Sequence, residues 1–169
     1  KRELDAVMEK FRDDTPRNQR AILSYSDLDR YMESWFWPSR WKSCKTIFAK
    51  GKMSATASEQ LSYVTVVHKF FKDFVRDKPF MADYHAHAES VMLVCDAIEL
   101  LQCASRKLVS PQVLHDGILK HLRAHQAVYG TDWWAFKHHQ AMHIALMYML
   151  FQILCDTLVT ERKHKEPKR

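Results

Sequence analysis

Residues His121–His143 read HLRAHQAVYGTDWWAFKHHQAMH, a stretch that holds five of the ten histidines and two of the five tryptophans. Just upstream, Ser110 suits an N-cap and Pro111 the first helical position, where a missing N–H costs nothing. Gly130 then ends the helix as a C′ glycine. Thr131 or Asp132 can cap a new helix, in which Phe136, Met142, Ala145, Met149 and Leu150 return at helical spacing. The stretch therefore predicts a helix, a glycine turn and a longer apolar helix running to Val159.

Within it, His121/His125 and His139/His143 are each four residues apart, so each pair shares one face of its own helix. Two imidazoles one turn apart can both reach an ion about 2 Å from each nitrogen, which makes these four the metal-ligand candidates. Neither pair lies in an HExxH context, so no glutamate stands beside them as a base. In the other arrangement open to the sequence, His121 and His139 are half-buried, and His125, His138 and His143 lie on polar or interfacial faces.

Outward from this stretch, the chain of 169 residues has the length of one domain and enough material for a sizeable core. Only three glycines and five prolines punctuate it, too few for a β-rich fold. The expected architecture is all-α: a single-domain bundle of about six to seven helices with two long central antiparallel helices. The longest apolar run, Ile144 to Cys155, includes Gln152 and falls short of the roughly 18 to 20 residues of a membrane span. Cys44, Cys95, Cys103 and Cys155 form no CxxC pair and suit buried free thiols in a reducing, intracellular compartment. A net charge of +6 permits an acidic partner without demanding one.

From the N-terminus, Leu4, Val7, Met8 and Phe11 mark a short helix over Arg2 to Arg12. Ser24 or Ser26 caps a second, Asp27 to Trp37, on which Leu28, Tyr31, Met32 and Trp35 recur. The stretch from Trp35 to Lys52, WFWPSRWKSCKTIFAKGK, contains no acid. Here Arg40, Lys42 and Lys45 can neutralise phosphates, and Trp35, Trp37 or Trp41 can stack on an unpaired base, which makes it the nucleic-acid candidate. Against this, Trp41, Cys44, Ile47 and Phe48 also form an ordinary apolar stripe.

Ser58 then caps a long helix, Glu59 to Asp77, with Leu61, Val64, Val67, Phe71 and Phe74 in one stripe widened by Tyr63, Val66 and Phe70. Lys78-Pro79 breaks it. A second long helix, Phe80 to about Ser105, carries Tyr84, Ala88, Val91, Cys95, Ile98 and Leu101, and the short break makes the two an antiparallel hairpin. His85 and Glu89 share a face there, but the paired Glu-x-x-His spacing of a di-iron bundle is absent. In the helix after Ser110, Val113, Leu114, Ile118, Leu122 and Val128 are the apolar set, and Gly117 permits close approach of a neighbour.

The pattern AHxxxYG, two aromatic residues, then KHHxxxH, followed some twenty residues on by ERKHK, resembles the late part of the transposase open reading frames of CACTA-type and related cut-and-paste elements. Where that family usually has a proline soon after the last histidine, this chain has Ile144-Ala145-Leu146. The resemblance covers about a quarter of the chain. It implies that Glu161 stands where such enzymes carry the third acid of an Asp-Asp-Glu site. There, two divalent ions about 4 Å apart, magnesium or manganese, would activate the attacking and leaving oxygens. The two aspartates would lie upstream of Lys1, this chain would be the helical insertion before the last acid, and the location would be nuclear. Arg162, Lys163 and Lys165 beside Glu161 suit phosphate contacts.

The expected function is thus the helical portion of a DNA-processing protein. Two other readings stand beside it: a non-catalytic interaction module that docks a protein partner or a second copy through aromatics such as Trp133 and Trp134, and a histidine-based metal-binding bundle.

Overall fold

The computed structural model describes residues 2–15, 22–36, 57–131, 136–151 and 154. Among these, six α-helices and no strand occur: α1 (Arg2–Asp13), α2 (Tyr25–Glu33), α3 (Ala57–Phe71), α4 (His85–Ser105), α5 (Pro111–Tyr129) and α6 (Phe136–Phe151). No helix is long and apolar enough to cross a membrane. The chain divides into two compact units, Lys1–Ile98 and Glu99–Arg169, and α4 runs through the division.

In the first unit, the spacing of Leu4, Val7, Met8 and Phe11 puts all four on one buried face of α1. Helix α2 starts as a capping box: the Ser24 backbone N–H donates to Asp27 Oδ2 at 3.0 Å. Leu28 and Met32 enter the core, and α2 ends at Glu33, short of the expected Trp37. Rings fill the middle of the unit. Phe70 lies 5.5 Å from Tyr31 in a tilted pair and 5.0 Å from Phe74 in a stacked one, and Phe11 lies 4.7 Å from Tyr84, again tilted.

Helix α3 starts at Ala57, one residue before the expected Ser58 cap, and the run to Asp77 is not a uniform α-helix. A π-helical turn, Lys72–Arg76, continues α3, and a 3₁₀ segment, Pro79–Tyr84, leads into α4. The wider turn moves burial from Phe71 to Val75, four residues on, and leaves Phe74 41% exposed. Leu61, also expected in the stripe, is exposed, while Tyr63, Val64, Val66, Val67, Phe70 and Phe71 are buried. Tyr31 Oη donates to Asp73 Oδ2 at 3.1 Å, and Lys69 Nζ donates to Asp73 Oδ1 at 2.8 Å, so the π turn presents its aspartate to α2.

The antiparallel hairpin is borne out by two ion-pair contacts in matching register. His68 Nε2 lies 3.2 Å from Asp96 Oδ1, and Arg76 Nη1 lies 4.0 Å from Glu89 Oε2. Tyr84 at the end of the 3₁₀ segment and Ala88, Val91 and Cys95 on α4 are buried, as the three-and-a-half-residue spacing predicts.

In the second unit, α4 ends through a Schellman motif. Leu108 N–H donates to Cys103 O and Lys107 N–H to Ala104 O, while Lys107 takes a φ of 60°, the conformation usually left to glycine. Ser110 Oγ accepts from Val113 N–H and caps α5. Gly117 permits the expected close approach, and the neighbour is Leu100, whose Cδ1 is 2.3 Å from where a Cβ would stand. Gly130 ends α5 with φ 69° and ψ −171°, a backbone region essentially reserved for glycine.

Candidate functional site

The buried face of α5 is Leu114, Ile118, His121, Leu122 and His125, an apolar stripe whose last turn is completed by imidazoles. His125 is 2% exposed and His121 6%, so the arrangement with His125 on a polar face is overturned. Their ring centroids lie 6.1 Å apart. The close partner of His125 comes instead from α6: His138 sits 4.3 Å from it, centroid to centroid, and 6.4 Å from His121. Tyr129 also packs on His125, at 4.9 Å.

Helix α6 faces inward through Ala145 and Tyr148, both buried, and Tyr148 Oη donates to Val109 O at 3.2 Å. His138 precedes Ala145 by two turns and falls on the same side. Met142, Met149 and Leu150, read from the sequence as the apolar set, are exposed along with Leu146 and Phe151. The physical reason is that the apolar residues of α6 are spread round its whole circumference, so spacing alone gives no preferred face. On its outer side, His139 and His143 are both exposed, against the expectation of a half-buried His139, and their Nε2 atoms are 2.9 Å apart.

The four sequence candidates for metal ligation thus separate. His139 and His143 meet on the surface of α6. His121 and His125 lie inside, where His138, passed over because it has no histidine four residues away on its own helix, is the residue that reaches across to His125. Its signal was present in the sequence as the continuation of the Tyr148–Ala145 face.

Of the nucleic-acid candidates, Trp35 is described: it is half-buried and packs edge-on against Tyr31 at 6.0 Å. Trp37, Arg40, Trp41, Lys42 and Lys45 lie outside the described residues, as do Trp133, Trp134, Glu161, Arg162, Lys163 and Lys165. The two described cysteines, Cys95 and Cys103, are not in disulfides. His85 and Glu89 do not act together: His85 Nε2 meets Lys78 O at 3.2 Å while Glu89 faces Arg76.

Titratable groups displaced from their ordinary values cluster in the first unit. The hydrogen bond from Lys10 at 2.9 Å holds the Asp14 carboxyl low, and burial holds the His87 imidazole low. Burial and a hydrogen bond donated to Asp5 push the Tyr25 phenol up. The Tyr25–Asp5 hydrogen bond ties α2 to α1.

Compared with family models, curated proteins and solved structures, the chain matches none.

Proposed function

We propose that this chain is the helical portion of a transposase-like DNA-processing protein, in which the α5–α6 hairpin is the scaffold that precedes Glu161. The observation that carries the reading is the convergence of the motif residues themselves. His125 and Tyr129 of AHxxxYG and His138 of KHHxxxH, separated by a glycine turn in sequence, pack together in the hairpin interior. The packing of these residues in one hairpin supports reading the motif as a unit. The absence of strands among the described residues accords with a helical insertion, since the aspartates of such a site need strands to carry them. Glu161 would be the last acid, with magnesium or manganese held jointly with aspartates upstream. The basic stretch around Arg40, Lys42 and Lys45 would contact phosphates.

Binding of the chain to a short DNA duplex, followed across a salt series, tests this. The log of the affinity falls linearly with the log of salt concentration, and changing Arg40, Lys42 and Lys45 together to Ala reduces the slope by about two to three. Binding without salt dependence, or a slope unchanged in the triple variant, overturns it.

A second reading, a helical module that associates with another copy of itself, is favoured by the exposed apolar row Met142, Leu146, Met149 and Leu150 on α6. It requires a sedimentation mass above the 20.0 kDa of one chain, returning to that value in the Leu146→Glu/Leu150→Glu double variant. A single-chain mass for the parent protein sinks it.

A further inference from the structure

The outer face of α6 carries a second arrangement that the DNA-processing reading does not use. His139 and His143 stand one helical turn apart with their Nε2 atoms 2.9 Å from one another, and both side chains are exposed. Two imidazole nitrogens bound to one ion at about 2.0–2.1 Å, with an angle between 90° and the tetrahedral value, are separated by about 2.9–3.4 Å. The observed separation lies at the short end of that range, and chelation requires the rings to turn so that both Nε2 lone pairs point at one ion.

We infer that His139 and His143 form a two-imidazole chelate for a borderline divalent transition metal, such as nickel, copper or zinc, with its remaining coordination positions open to solvent. Three features select this chemistry. Helix α6 reads FKHHQAMHIALMYMLF and holds no carboxylate, so the pair offers nitrogen donors without the oxygen ligands that magnesium and manganese prefer. The helix fixes both rings in advance, because residues four apart share one face. The site is also distinct from the buried group: His138 packs on His125, whereas His139 and His143 lie about 100–140° farther round the helix and are exposed.

Proton bookkeeping is simple. In the hydrogen-bonded pair one Nε2 carries hydrogen and the other accepts it. On chelation the donor ring moves its hydrogen to Nδ1, so that both Nε2 lone pairs face the ion. Two neutral imidazoles bind the metal without net proton release.

The test is calorimetric titration of the full chain with nickel or zinc chloride, beside magnesium chloride. One transition-metal ion binds per chain, and affinity falls by at least about tenfold, equivalent to 1.4 kcal/mol, in His139→Ala and again in His143→Ala. Both residues are exposed, so circular dichroism of the variants matches that of the parent. His138→Gln leaves binding in place, and magnesium neither binds nor competes. Binding unchanged in both outer variants, binding abolished by His138→Gln in a folded chain, or no binding in the parent protein overturns the inference. DNA affinity is measured separately through Arg40, Lys42 and Lys45, so failure of one proposal leaves the other standing.

Discussion

The imidazole of His138 on α6 packs against that of His125 on α5 with ring centroids 4.3 Å apart, and this contact closes the hairpin where an aliphatic pair would ordinarily do so. His125 continues the stripe of Leu114, Ile118 and Leu122, so its ring occupies a core position. The hairpin therefore treats its inner histidines as packing groups and its outer ones as surface groups.

That division predicts unequal costs of truncation. His125→Ala removes a ring from a closed interior and destabilises the protein by roughly 2–4 kcal/mol, by analogy with buried large-to-small changes. His139→Ala stays within about 0.5 kcal/mol of the parent. Urea denaturation of both variants checks this, and equal midpoints contradict the placement.

Two chain reversals both favour glycine, so removing a glycine at one and adding a glycine at the other have opposite effects. At Gly130 the backbone region excludes side chains, so Gly130→Ala costs about 1–3 kcal/mol although alanine is the better helix former elsewhere. At Lys107 a side chain already sits in the left-handed conformation of a Schellman motif, and Lys107→Gly stabilises by about 0.5–1 kcal/mol. Thermal melts of the two variants should shift in opposite directions.

Gly117 sits where α5 meets Leu100. A Cβ there collides with Leu100 Cδ1, the far end of a flexible side chain, so that leucine can turn away while the helix gains about 0.5–1 kcal/mol from the lost glycine. Gly117→Ala is expected within about 1 kcal/mol of the parent, and Gly117→Leu, which cannot be accommodated by one rotamer, destabilises by about 1–3 kcal/mol. A Leu variant as stable as the Ala variant would show that the close approach is not there.

Acid should weaken the first unit through His87. Burial, assisted by Lys10 and opposed by Asp14, holds this imidazole below its ordinary value of 6.5, so the unfolded chain takes up the proton first as pH falls. The contribution of His87 is fully present above pH 6.5 and is lost in the window below it. The urea midpoint declines from about pH 7 to about pH 5, and His87→Gln makes that decline shallower. An unaltered slope in the variant would assign the acid sensitivity to other groups.

The sequence determined the helix inventory: the α1 face of Leu4, Val7, Met8 and Phe11, the Ser110 cap with Pro111, the Gly130 stop and the α3–α4 hairpin all follow from local spacing and backbone chemistry. These are properties of residues within one or two turns of each other, which a linear string records. Tertiary structure decided what spacing cannot. The π turn at Lys72–Arg76 shifts burial onto Val75, and Lys107 makes a cap without the glycine that would have announced it. Helix α6, with apolar residues all round its circumference among its polar ones, acquires an inward face where Tyr148 reaches the Val109 carbonyl, and that choice turns His138 toward His125 and leaves His139 and His143 outside. A helix with no amphipathic contrast carries no preference of its own, so the partner helix selects its buried side.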